Sequence, residues 1–360
     1  MGCFQLFRMI KVGSGKQYPA SLGFTLLELM IVMAIAGVVM SGLLSLIYQL
    51  LNIDQQENAR NELQRELQLA LNYITADLRE AVFVYDGSPN QLGNRTSPAF
   101  REGFSTQFFV LGGQPATPVL AFWKSDGLDL SSINRCTSAI PAPVECQNVL
   151  IQRRSYSLVV YLQVINPPND RIWKGRSRIV RYRLSKYSAT RLRGNPPNFL
   201  WNPGFVDPVL SYSQPIFSSW PYRPGTNGGV NCQLTGDPCG LKIDDLSRTV
   251  SGFQGGLPSD FSSNAPVLVD FIDLPTRQPV EALKLPPCLT PFSRVPQGES
   301  VANSFFSCVS NSTDITQSQQ DVLVYLRGNG FGRPGINMDL TLPSLYTRLT
   351  IPARLNRNPG

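Results

Sequence analysis

One apolar run limits what this chain can fold into. From Phe24 to Leu51 the only charged side chain is Glu28. At about 1.5 Å per residue a helix over this run is roughly 42 Å long, enough to cross a hydrocarbon core about 30 Å thick. A carboxylate at the centre of such a helix costs roughly 2.5–3.5 kcal/mol on insertion scales, so Glu28 asks for a functional reason. The flank ahead of the run is basic, with Arg8, Lys11 and Lys16 and no acidic residue before Phe24. The positive-inside rule therefore keeps residues 1–23 in the cytoplasm. A secretory signal would put its apolar region ahead of a cleavage site marked by small residues; here the apolar region comes after the Gly23–Phe24 junction. Gly13-Ser14-Gly15-Lys16 lacks the spacing and the following Ser or Thr of a nucleotide loop, and reads as a flexible basic spacer.

The junction itself, Gly23-Phe24-Thr25-Leu26-Leu27-Glu28-Leu29, resembles the processing site of type IV pilins and type II secretion pseudopilins. The bland alternative is an ordinary anchor whose Glu28 reaches back to water. The resemblance implies that a prepilin peptidase cuts between Gly23 and Phe24 and that Phe24 is then N-methylated. It also implies that Glu28 acts in filament assembly. Cys3 would leave with the leader. Many major pilins carry a proline midway along this segment. None is present here, which leans toward a pseudopilin or minor component.

Beyond the run, Ile53, Leu63, Leu67, Ala70, Ile74, Leu78 and Ala81 recur at helical spacing. Charged residues, Asp77 among them, lie between, and neither proline nor glycine interrupts Leu43 to Asp86. This pattern predicts one helix from Phe24 to about Val82, with a break near Asn52 as the alternative. Residues 24–51 form its membrane half and residues 52–83 its amphipathic half.

From residue 84 to 360 the chain turns to short β-rich runs between Gly, Pro, Ser and Asn clusters. Strands are expected at Thr106–Leu111, Val119–Trp123, Ser157–Ile165, Arg178–Leu184, Val267–Ile272, Val322–Arg327 and Leu345–Ile351. The expected fold class is α+β, an antiparallel sheet packed on the amphipathic half-helix. Six cysteines follow the leader. In an exported chain they read as disulfides, neighbour pairing being the simplest of fifteen connectivities: Cys136–Cys146, Cys232–Cys239 and Cys288–Cys308. A metal site is the rival, but there is no Cys-x-x-Cys and no histidine, so no metal is assigned.

Net charge is +7, and loss of the three leader cations leaves +4. Arg181, Arg183, Arg191, Arg193 and Trp201 are the candidates for contact with a polyanion or sugar. A solvated sheet face is the plainer reading, because nothing in the sequence fixes them on one surface. Without histidine, Ser-His and Cys-His nucleophiles are excluded. Asp244-Asp245 and Ser125-Asp126-Gly127 read as turns, the latter with a weak calcium option. Gly328–Gly332 reads as a loop after a strand. No catalytic constellation emerges and no cofactor is assigned.

Asn72–Ala81, with its Asp77-Leu78-Arg79 element, looks like the helix end of J-type pseudopilins and W-type minor pilins. With Val119–Lys124 and Val322–Gly328 it is similar to the hormogonium polysaccharide secretion pseudopilins of filamentous cyanobacteria. That resemblance implies a minor pseudopilin held in the inner membrane by a single span, its head periplasmic or extracellular. The implied partners are the prepilin peptidase, other pilins or pseudopilins, an inner-membrane assembly platform and an exported polysaccharide; nucleic acid is not expected. A minor type IV pilin for twitching or DNA uptake is the alternative. A membrane-anchored carbohydrate-binding protein is the alternative of another class.

Overall fold

The computed structural model describes residues 25–87, 110–111, 114–128, 150–151, 153–187, 266–274, 288–296, 304–310, 319–334, 336 and 341–352. The chain divides into two compact units, Met1–Asp54 and Gln55–Gly360.

Helix α1 spans Leu26–Arg79, 54 residues, and passes Asn52 without a break. Thr25 caps it: the Glu28 N–H donates to Thr25 Oγ1 at 3.3 Å and the Leu29 N–H to the Thr25 carbonyl at 3.2 Å. Every residue from 25 to 51 is exposed. By length and composition this stretch is able to cross a membrane.

In the second unit Leu63, Leu67, Ala70, Leu71, Ile74 and Leu78 are buried, the three- and four-residue spacing of one helix face. Ile53, expected on that face, is exposed. The helix stops short of the expected Val82. Strand β1 (Ala81–Val84) takes over, because its β-branched and aromatic side chains find a partner strand there.

The remaining strands are β2 (Val110–Leu111), β3 (Gln114–Gly127), β4 (Arg154–Ile165), β5 (Ser177–Ser185), β6 (Val267–Ile272), β7 (Phe292–Val295), β8 (Phe305–Ser310), β9 (Gln319–Leu326) and β10 (Leu345–Pro352). They make two sheets, one ordered β1-β3-β4-β5-β6 with β2 also on β3, the other β10-β9-β8-β7. Every pairing among these strands is antiparallel. Each predicted strand with described residues falls on an observed one, while β1, β7 and β8 went unforeseen. Ser125-Asp126-Gly127 ends strand β3 instead of making a turn, and Asp126 pairs with Arg183 at 2.6 Å. Pro118 sits in β3 where the register with β4 shifts, a place that tolerates a missing N–H.

One apolar cluster joins the helix face to both sheets. Polar stitches hold the sheets together. The Gln320 side chain donates to the Val84 carbonyl and accepts from the Val84 N–H, both at 3.0 Å. Ser307 Oγ donates to the Val119 carbonyl at 2.8 Å. Arg327 pairs with the buried Asp273 at 2.6 Å.

Candidate functional site

Within the first unit the chemistry is concentrated at the start of α1. Thr25 is the cap and Glu28 is three residues on, the spacing of a capping box. An acid in the first turn is also favoured by the positive end of the helix dipole. Glu28 is exposed among exposed Leu26, Leu27 and Met30. The one charge of the apolar run therefore stands at a fixed point on an uncovered apolar surface. Gly23 and Phe24 lie outside the described residues.

Within the second unit, two clusters fix the amphipathic half of α1. The first centres on Asp77, almost fully buried. Its carboxylate accepts from Arg181 Nε at 2.6 Å, Tyr161 Oη at 2.7 Å and Lys124 Nζ at 3.2 Å. Lys124 also pairs with Glu80 at 2.5 Å. The guanidinium of Arg181 lies 5.8 Å from the centre of the Tyr73 ring. Burial pushes the Asp77 carboxyl up. The hydrogen bonds from Arg181 and Tyr161, and the charges of Arg181 and Lys124, outweigh it and hold the carboxyl below the usual carboxylate range.

The second cluster is a loop after β9. Arg333, itself buried, reaches Glu62 at 2.8 Å and also pairs with Glu66. Its guanidinium lies over Phe271 at 4.5 Å. Burial raises the Glu66 carboxyl above its ordinary value despite the Arg333 charge. Gly332 is required where it stands: its φ is +91°, and a Cβ there would meet the Lys174 carbonyl oxygen at 2.2 Å.

Two members of the expected ligand patch are described, and each has an acidic partner. Arg181 is turned to the helix, where Asp77 uses its charge, because a buried carboxylate needs a cationic partner. Arg183 is partly exposed and paired with Asp126. Arg191, Arg193 and Trp201 lie outside the described residues, as do Cys136, Cys146, Cys232 and Cys239. Cys288 and Cys308 form a disulfide with a Cα–Cα distance of 5.6 Å. The importance of Asp77 was missed, although its position carried the signal. Three residues after Ile74 and four before Ala81, it falls on the apolar face, where a lone acid demands a partner.

Residues 19–44 match the family described as the prokaryotic N-terminal methylation motif, a stretch that includes Gly23, Phe24 and Glu28. The match supports a place in the type IV pilin and pseudopilin family, whose members are structural rather than catalytic. The motif implies processing by a prepilin peptidase and assembly with other pilins. No curated protein and no solved structure matches the chain.

Proposed function

We propose that the chain is a minor pseudopilin, a single-pass inner-membrane subunit that is cut after Gly23, methylated at Phe24 and assembled into a pilus-like filament. Glu28 carries this reading, as the lone charge at the capped start of a helix whose first half has no protein cover. In the membrane its burial is unfavourable. In a stack of helices it meets the positive amine of Phe24 on the adjacent subunit, and a paired charge offsets much of the desolvation cost. A subunit out of register leaves the acid unpaired, so Glu28 sets position as well as contributing energy. The filament serves polysaccharide or protein secretion and motility, with the head outside the inner membrane and an assembly platform at its base.

The test is made in cells. Gly23→Val blocks leader removal, seen as a larger species on a gel. Glu28→Ala is inserted and cleaved but enters filaments poorly in sheared-filament fractions. Cleavage of the first and normal incorporation of the second would together sink the proposal. A deletion strain that loses exported polysaccharide without losing surface pili separates a secretion role from that of a minor pilus subunit.

A further inference from the structure

The two sheet orders end at β1, β6, β7 and β10, and the first three ends meet other parts of the chain. At β1, the Gln320 side chain bonds both backbone groups of Val84. Beyond β6, the Asp273 N–H donates to the Arg327 carbonyl at 3.1 Å and the Asn329 N–H to the Phe271 carbonyl at 2.8 Å. Against β7 lies Gly87, whose N–H donates to Ser293 Oγ at 2.8 Å. A Cβ on Gly87 would meet the Arg294 carbonyl oxygen at 2.0 Å, so nothing further fits there. The fourth end is different. β10 pairs with β9 over all eight of its residues. Among the described residues, no backbone group bonds to its other side.

Edge strands usually carry a guard against pairing: a free lysine, an inward charge, a bulge or a proline within the strand. β10 has an even register, and its proline, Pro352, is its last residue. Its one charge, Arg348, is paired with Asp321 at 2.7 Å. Every second N–H and C=O along such an edge points away from its neighbour strand. The side-chain rows are unfinished as well. Toward the core, Leu345 and Leu349 pack on the apolar cluster but stay only half-buried. On the outer face, Phe306 stacks on Tyr325 at 4.6 Å and Tyr325 on Tyr346 at 5.8 Å. That aromatic row crosses β8, β9 and β10 and ends with Tyr346 68% exposed.

We propose that β10 accepts an added strand, an extended segment of a different subunit of the filament. Only a polypeptide backbone repeats donors and acceptors at the spacing of a strand, so the open edge selects a peptide over a sugar or a lipid head group. The segment alternates in character: apolar side chains fall beside Leu345 and Leu349, and flat or aliphatic ones beside Tyr346. A second copy of this chain fits less well, because its other sheet ends are occupied. Two β10 strands would pair antiparallel about Thr347, with Leu345 opposite Leu349. That pairing has a two-fold axis normal to the sheet. It sets residues 55–79 of α1, packed along the core, in opposite directions in the two copies. Subunits of one filament run the same way, so this inference rests on the filament reading above.

The experiment uses the full-length chain in its own cells. Tyr346→p-benzoylphenylalanine, Arg348→p-benzoylphenylalanine and Thr350→p-benzoylphenylalanine each place one photo-crosslinker on the outer row, and the adducts are mapped by mass spectrometry. All three are expected to label one stretch of one other chain, the labelled site moving two residues along that stretch at each step along β10. Thr347→Lys puts a charge on the core-facing row and should lower the yield at Tyr346 by about tenfold. Thr347→Val keeps the row uncharged and should retain the yield. Adducts to a second copy, adduct sites that do not advance in step, no adducts, or full yield with Thr347→Lys would overturn the strand addition. The same gels show leader removal. A chain cleaved after Gly23 but without adducts overturns the strand addition alone, whereas an uncleaved chain overturns the filament reading and the strand addition with it.

Discussion

At Asp77 an acidic side chain lies nearly out of water and is still held in its charged form. Burial works against the carboxylate, and the donors from Arg181, Tyr161 and Lys124 more than compensate. Because its folded pKa lies below its unfolded one, Asp77 contributes stability at neutral pH. That contribution fades as the pH falls below about 4 through the depressed folded value. Asp77→Ala leaves Arg181 without its carboxylate and is expected to cost about 3–5 kcal/mol, read as a lower urea midpoint. Asp77→Asn keeps the shape and loses the charge, so its stability should depend less on pH in the acid range. Identical acid profiles for Asp77→Asn and the natural chain would contradict this. The Lys124 ammonium works the same way: burial alone lowers it, but Glu80 and Asp77 raise it above its usual value.

Elements differ in how far neighbouring residues define them. The start of α1 is local, since Thr25 caps it and Glu28 completes the capping spacing within one turn. Its end is not local. Ala81–Val84 continue a sequence free of glycine and proline, but pairing with β3 draws them out of the helix. The loop after β9 depends on remote neighbours too, on Glu62 and Glu66 through Arg333 and on Lys174 through Gly332. Gly332→Ala forces a strained φ and a backbone clash and should cost about 1–3 kcal/mol. Faster hydrogen exchange at residues 328–334, with little change at β4, is the expected signature. Arg333→Ala removes a ring contact and two partly exposed ion pairs, a smaller loss of about 1–2 kcal/mol.

For the whole molecule, side-chain hydrogen bonds join the two sheets. Gln320 satisfies both backbone groups of Val84 from a position 236 residues away in sequence. Gln320→Ala leaves a buried N–H and C=O unpaired and should lower stability by about 2–3 kcal/mol in urea unfolding, whereas a loss below measurement would deny it that role. Similar separations recur where α1 is fastened, 104 residues between Arg181 and Asp77 and 271 between Arg333 and Glu62. The sequence by itself determined the apolar run, the capped acid within it, the amphipathic face and the strands β4, β5, β6 and β9. Those follow from spacing, capping and β-propensity among near neighbours, which act before any tertiary contact forms. Only the tertiary structure decided that Arg181 turns inward, that Asp77 is paired and that two sheets form in place of one. Each depends on which distant groups share a dry space, and a buried charge or amide settles only where its partner also lies.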